Sequence, residues 1–372
     1  MVDNVLSFVD GTVLVNLFFL LITLINVIFL RLTAKHKEPT FYPMVSVLIP
    51  ARNEAHRIRP CLVSLLCQDY PNYEVIVLND NSTDETETIL QEFMTHPHFR
   101  YINGQPLPRE WKGKPYACQQ LYEIAKGDLL LFTDADTVHA KNSLRFLVGQ
   151  MQKWNTDFLS GFALHEAKSP GEKLILPAVY MMTILALPLP LVYFTSWPFF
   201  SFAIGQILLF KRKVLNKIGG FEKVRDHLVE DLAMSSIVKK HGFRAIFIDA
   251  MQVTRCRMYD NFAHGFLGIA RVIYPAISKN PFLFLALVSG ITSAILWPFV
   301  DTLKHFFTLS PSLLSAIIFL LTWGIFMRNR KQSWLSVFAY PVIFLNLLFA
   351  AFYSLGKTGF GKGILWKERL VK

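Results

Sequence analysis

Charge is scarce in this chain, and so is cysteine. Only 17% of the 372 residues are charged, against about 25% in ordinary soluble domains. Four cysteines, Cys61, Cys67, Cys118 and Cys256, are too few for a disulfide-stapled secreted domain. None forms a Cys-x-x-Cys pair, and no histidine stands at zinc-finger spacing. They read as free thiols in a reducing compartment. Apolar residues, in contrast, reach 52%. That excludes a disordered chain and points to a protein partly in a membrane. The length suggests about two units. The net charge of +11 suits an anionic membrane surface. It would also suit nucleic acid, but no nucleic-acid-binding module is recognisable, so none is expected as a partner.

Residues 12–32 carry no charge before Arg31. About 20 such residues cross a hydrocarbon core as a helix. Asp3 and Asp10 precede this run; Arg31, Lys35, His36 and Lys37 end and follow it. The positive-inside bias puts residue 35 onward in the cytoplasm. A cleaved signal peptide does not fit, because the start lacks positive charge and a cleavage site. Three further apolar runs lie at 282–300, 313–327 and 334–353, with Arg328-Asn-Arg-Lys331 between the last two. Four crossings would leave the C-terminus outside. Yet the tail carries Lys357, Lys362, Lys367, Arg369 and Lys372 against Glu368. The short 313–327 run or the last run, broken by Pro341, could therefore be re-entrant. Residues 174–210 are also very apolar but hold Pro177, Pro188, Pro190 and Pro198. Proline interrupts helix hydrogen bonding, so an interfacial or re-entrant segment is expected there; a buried core segment is the alternative.

Between these segments, strands and helices alternate. Strands are expected at 44–49, 74–78, 99–102 and 128–133 from short β-branched apolar runs. Helices are expected at 55–68, from Asp84 as cap to 94, at 115–126 with Gly127 as its C′ glycine, and at 231–240. Such alternation implies a mostly parallel sheet with helices on both faces. Ligands then sit beyond the carboxyl ends of the strands. Asn53, Glu54, Asp80, Asp134 and Asp136 all fall there.

Asp134-Ala-Asp136 follows an apolar strand. Two such carboxylates can hold a hard divalent cation together with phosphate oxygens; alone they could equally be a solvated turn. Glu230-Asp231 opens a helix. The pair could be ordinary N-terminal charges, or like-charge repulsion could raise one pKa to suit a general base. Lys114, in Trp111-Lys-Gly-Lys114, could face a diphosphate or solvent. His227 could face the site or the surface.

Together these residues resemble the family-2 glycosyltransferases of the GT-A fold. The resemblance rests on P-A-R-N-E at 50–54, S-L-L-C-Q-D-Y-P-N-Y-E-V at 64–75 and N-D-N-S-T-D at 79–84. It continues through W-K-G-K at 111–114, G-D-L-L-L-F-T-D-A-D at 127–136, G-G-F at 219–221 and E-D-L-A at 230–233. The flanking helices, G-Q at 205–206, R-M-Y at 257–259 and W-K-E-R at 366–369 resemble the membrane-bound, lipid-glycosylating branch. Ceramide-glucosyltransferase-like and carotenoid-glycosyltransferase-like members belong to it. The resemblance implies an α/β GT-A (Rossmann-like) domain with one N-terminal and about three C-terminal transmembrane helices. It implies that Asp80, with the loop of Pro50, Arg52 and Glu54, binds the nucleoside of a UDP-sugar. Asp134 would contact the nucleotide, Asp136 would coordinate Mg²⁺ or Mn²⁺, Lys114 would face the pyrophosphate, and Asp231 would be the catalytic base. Asn79 departs from the usual first Asp. The Q-x-x-R-W motif of processive synthases is missing, since Cys256 follows Arg255; Arg271, on the amphipathic stretch 261–278, could serve instead.

The expected organisation is an anchor at 1–40, a catalytic domain at 41–258 with an apolar interfacial segment at 174–204, an interfacial helix at 259–280 and a C-terminal membrane region at 281–372. The expected function is inverting, metal-dependent transfer of one sugar from a nucleotide sugar to a membrane lipid. It would take place at the cytoplasmic face of the plasma membrane. The alternatives are a processive glycan synthase and a non-catalytic membrane scaffold.

Overall fold

The computed structural model describes residues 2–185, 187–277, 280–305, 309–361, 363–366 and 369–371. Lys362, Lys367, Glu368 and Lys372 of the expected basic tail, and Ser278, lie outside the described residues. The chain divides into two compact units. One comprises Leu30–Glu166 and Leu189–Arg257; the other comprises the chain up to Phe29, Ala167–Pro188 and everything from Met258.

The first unit is built on ten strands. They are β1 (Val45–Ala51), β2 (Tyr73–Asn79), β3 (Phe99–Asn103), β4 (Leu129–Phe132), β5 (Thr137–His139), β6 (Phe158–Phe162), β7 (Leu164–His165), β8 (Leu208–Lys211), β9 (Ala245–Asp249) and β10 (Thr254–Cys256). Seven form one sheet in the order β3-β2-β1-β4-β8-β6-β9. β1, β2 and β4 bury nearly every residue, as strands covered on both faces do. β8 alone runs against the other six. A small sheet, β5-β10-β7, stands beside it.

β8 comes from the end of the apolar 174–210 stretch, so that part is sheet core. The rest breaks at its prolines into short pieces, among them Met181–Leu185, Pro190–Phe194 and Pro198–Phe200. Gly127 also departs from expectation. The preceding helix is Gly113–Ile124, its cap Ala125 is extended, and Gly127 has no positive φ. Glycine is needed there because a Cβ would stand 2.5 Å from the Ser46 backbone nitrogen on β1. The left-handed cap glycine is instead Gly219, φ 82°, ending the Arg212–Ile218 helix. The helix assigned to Asp84 begins at Thr86. Asp84 Oδ1 accepts the Thr86 N–H at 3.0 Å, two residues on.

Among the described residues, four helical stretches are long and apolar enough to cross a membrane: Gly11–Thr33, Pro281–Lys304, Pro311–Asn329 and Tyr340–Gly359. The 313–327 run, expected to be short, is therefore part of a 19-residue helix. Pro341 starts the last helix, Tyr340–Ser354, after a separate turn of helix at Trp334–Phe338. The amphipathic stretch forms the Phe262–Ile277 helix. Within the helical unit, the amide groups of two asparagines on the first apolar helix donate to other segments, while Asn16 Oδ1 and Thr23 Oγ1 are buried without a partner among the described residues. Asn16 Nδ2 donates to Ser315 Oγ at 2.8 Å, and Asn26 Nδ2 donates to the Leu187 carbonyl at 2.9 Å. Such contacts join helices where lipid offers no alternative partner.

Candidate active site

Parallel β1, β2 and β4 bring their carboxyl ends to one sheet edge. β1 runs out into Arg52, Asn53 and Glu54, β2 into Asp80, and β4 into Asp134 and Asp136. β8 reverses, pairing Leu208 with Phe132, so its approach through Gly205 and Gln206 reaches the same edge. The Thr133 hydroxyl fixes this by donating to the Gln206 carbonyl at 2.8 Å.

The loops after β1 and β2 are tied together. Pro50 remains in β1, paired with Leu78. Arg52 Nη1 donates to the carbonyls of Asp80 at 2.8 Å and Asn81 at 3.0 Å. Asn53 takes φ 51°, a left-handed conformation that asparagine tolerates. Its Oδ1 accepts the Thr83 N–H at 2.8 Å. Asn79 donates to Asn103 Oδ1 at 2.9 Å and accepts the Ser82 N–H at 3.2 Å. The amide at this position shapes the loop that holds the buried Asp80.

Lys114 lies at the centre of the next group. Its Nζ is 2.7 Å from Asp134 Oδ1 and 3.0 Å from Glu230 Oε1. Burial opposes its charge, but Asp134 and Glu230 outweigh that and hold the pKa well above the usual lysine value. Glu230 and Asp231 open the Glu230–Lys240 helix. Asp231 Oδ1 accepts the N–H of Leu232 at 2.8 Å. Burial, then the adjacent Glu230 carboxylate, push Asp231 up to about 7, with Lys114 opposing. Gly205 closes the group. A Cβ on it would sit 2.6 Å from Lys114 Nζ, 3.5 Å from Asp134 Oδ2 and 3.7 Å from Asp231 Oδ2.

Asp136 sits one turn further on, just before β5. Pairing of Thr137 with Cys256 in the small sheet fixes its position. Arg57 Nη1 is 3.5 Å from its Oδ2, and the Cys256 thiol donates to its Oδ1 at 3.4 Å. Burial, then Asp134 and Glu54, raise Asp136 to about 7, with Arg57 opposing. Among the described residues, no three His, Cys, Asp or Glu side chains form a set that would hold a metal alone. The carboxylates of Asp134 and Glu54 around Asp136, with Arg57 opposing them, nevertheless fit a cation that takes its other ligands from phosphate and water oxygens.

Glu54, Asp80, Lys114, Asp134, Asp136 and Asp231 thus all belong to one unit, and Arg52 supports the Asp80 loop. Arg271 belongs to the helical unit. His227 is exposed and pairs with Asp226 at 3.0 Å. Arg57 and Cys256 were not legible as site residues. Arg57 sits just ahead of an ordinary amphipathic helix, and Cys256 reaches Asp136 only through strand pairing. His139 is buried and pushed down to about 4 by that burial. It bonds Thr133 and Ser143 as part of the supporting structure.

A mixed α/β sheet with acidic loops at the carboxyl ends of β1, β2 and β4 is the GT-A architecture. Residues 46–219 match the family model described as glycosyl transferase family 2. The chain is similar to a probable glycosyltransferase, YdaM, of Bacillus subtilis (strain 168), at 28% identity over 218 residues, 56% of this chain and 49% of that one. It is also similar to 4,4′-diaponeurosporenoate glycosyltransferase of Staphylococcus aureus (strain MRSA252), at 27% identity over 220 residues, 58% of this chain and 56% of that one. The chain spans about half the length of these curated relatives. A mannosyltransferase from Pyrobaculum calidifontis, solved with GDP-mannose and Mn²⁺, shares the fold with a TM-score of 0.56 at 19% identity. That match covers 93% of this chain and 99% of the other.

Proposed function

We propose that the chain transfers one sugar, with inversion, from a nucleotide sugar to a hydroxyl or carboxyl of a membrane lipid. The observation that carries this is the Asp134–Lys114–Glu230 bridge beside Asp231. It joins the loop after β4, suited to a nucleoside diphosphate, to the start of a helix bearing a base. Asp80 and the Pro50–Glu54 loop bind the nucleoside, with UDP as the favoured donor. The mannosyltransferase solved with GDP-mannose makes GDP-sugars part of the donor test. Asp136 would hold Mg²⁺ or Mn²⁺, and the ion would supply charge stabilisation for the departing nucleoside diphosphate. Lys114 adds positive charge beside the same diphosphate. Asp231 accepts the proton of the acceptor as its oxygen attacks the anomeric carbon. A carboxylate near pKa 7 is matched to that task. A single displacement forms no glycosyl-enzyme bond, so no nucleophilic side chain is required.

Four spanning-length helices support a lipid acceptor, as does similarity to an enzyme named for a carotenoid acid. The cations at Arg31, Lys35, Lys37 and Arg328–Lys331 support a cytoplasmic catalytic unit. The testing experiment uses membranes containing the protein, total lipid extract and radiolabelled UDP- and GDP-sugars with Mg²⁺ or Mn²⁺. One labelled lipid, lost with chelator and in Asp231→Asn, is the expected result. A ladder of products would establish a processive synthase. No binding of any nucleotide sugar would refute the enzyme reading.

A further inference from the structure

We infer that residues 193–200 form an aromatic wedge that sits in the headgroup region of the bilayer and is clamped to the catalytic helix by Lys239. This rests on contacts inside one unit and on neither the identity of the sugar nor that of its acceptor.

Three large side chains project from this segment with nothing covering them. Phe194 and Trp197 are each 67% exposed and Phe199 is 83% exposed. Exposed aromatics of this size are costly in water, and Trp in particular favours the membrane–water boundary. The segment is not a loose loop. Trp197 stacks on Phe200 at 6.3 Å, and Phe199 meets Phe200 edge-on at 5.2 Å. Pro190 and Pro198 restrict its backbone further.

The bilayer is the indicated occupant because the segment is continuous with the point where the first apolar helix ends. Tyr193 Oη donates to the Trp154 carbonyl at 2.8 Å, and the two rings meet edge-on at 5.2 Å. Lys153 Nζ stands 5.4 Å from the Trp154 ring and donates to the Leu32 carbonyl at 3.3 Å. Leu32 is the next-to-last residue of the spanning stretch Gly11–Thr33. Lys153 also feels the charges of Lys35 and Lys37. Three lysines and a set of exposed rings at one helix exit complement anionic headgroups above an acyl layer. A protein partner would have no need of that continuity.

The clamp is a buried ammonium. Lys239 is 3% exposed, and its Nζ donates to the carbonyls of Leu191 at 3.2 Å, Val192 at 3.1 Å and Phe200 at 2.8 Å, and to the Thr195 hydroxyl at 3.3 Å. Four acceptors share three N–H groups. These acceptors come from both ends of the 190–200 segment, so one side chain closes it into a rigid body. Lys239 lies eight residues beyond Asp231 on the same helix, roughly 12 Å along its axis. The depth of the wedge in the bilayer therefore sets the height of the helix that begins with Glu230 and Asp231.

The test uses the full chain in nanodiscs of phosphatidylcholine and phosphatidylglycerol. An environment-sensitive fluorophore is placed on Phe199→Cys, in a Cys67→Ser background because Cys67 is the exposed thiol among the described residues. Val63→Cys, exposed on the Ile58–Leu66 helix, is the control. Lipids with a doxyl group high on the acyl chain should quench the probe at 199 at least twofold and leave the control unchanged. Aqueous iodide should do the reverse. Equal doxyl quenching at both positions would overturn the wedge. So would a probe at 199 shielded from both quenchers, which would indicate a covering protein. Lys239→Met should lower doxyl quenching at 199 while the thermal transition persists. Thr195→Val, which removes a single acceptor, should lower it less. Unchanged quenching in both variants would overturn the clamp.

Discussion

Gly205→Ala tests the site with a single methyl group. The added Cβ would stand 2.6 Å from Lys114 Nζ, well inside van der Waals contact. The ammonium must withdraw by about 0.8 Å to reach an ordinary separation of 3.4 Å, and a displacement near 1 Å within a catalytic group lowers rates by about a hundredfold. Withdrawal lengthens the bonds to Asp134 and Glu230, now 2.7 and 3.0 Å. Asp134 and Asp231 lie beyond 3.4 Å from the new carbon and need not move. Gly205 has no positive φ, so alanine brings no backbone strain. The obstructing atom is also the end of a flexible side chain. The expected result is a kcat/KM about a hundredfold lower, with the melting temperature within a few degrees of the parent. Adding Gly205→Ala to a Lys114→Met background should have little further effect, because the thioether lacks the two ion pairs. Wild-type activity in Gly205→Ala would refute the claim that Lys114 is held in its working position.

Asp231→Asn should lower kcat by about 10²–10⁴-fold while nucleotide binding, measured by calorimetry, stays within twofold. Activity should follow Asp231 ionisation. Below its pKa of about 7 the carboxyl is protonated and accepts nothing, so kcat/KM should fall about tenfold per pH unit and level off above. Glu230→Gln removes the neighbouring charge that raises this pKa, so the acid limb should move to lower pH. Mn²⁺ affinity in the presence of UDP should likewise weaken as pH falls through about 7, because Asp136 must lose its proton to bind. Titration by electron paramagnetic resonance would read this, and an affinity flat from pH 5 to 8 would remove Asp136 as ligand. Gly149→Ala places a Cβ against the Lys37 carbonyl. It should destabilise the unit by about 1–3 kcal/mol without touching the site, seen as a lower melting temperature at unchanged kcat.

The acidic loops were legible because each follows a short apolar run, and parallel strands must deliver such loops to one edge. Asp80, Asp134 and Asp136 needed no tertiary knowledge beyond that rule. What the strand pattern could not carry was anything set by the strand that reverses. β8 lies at the end of an apolar stretch with four prolines, where spanning, interfacial and core readings all shared one composition. Only its antiparallel pairing with β4 brings Gly205 against Lys114. Gly127 escapes a local reading for a related reason. A glycine after a helix suggests a left-handed cap, whereas here it admits the backbone of β1. Close approach between distant segments leaves no local trace.

Lys239 carries the same lesson to its limit. On a helix written E-D-L-A-M-S-S-I-V-K-K, a lysine near the C-terminus is the ordinary complement of the helix dipole, and Lys240 beside it is exposed. Burial of Lys239 pushes its pKa down to about 8, and four oxygens satisfy its N–H groups. Those oxygens exist in that arrangement only because prolines fold residues 190–200 back on themselves. The prolines that ruled out a membrane-spanning helix are thus what build the pocket for the lysine. The buried lysine in turn gives the aromatic segment its connection to the helix that starts at Glu230.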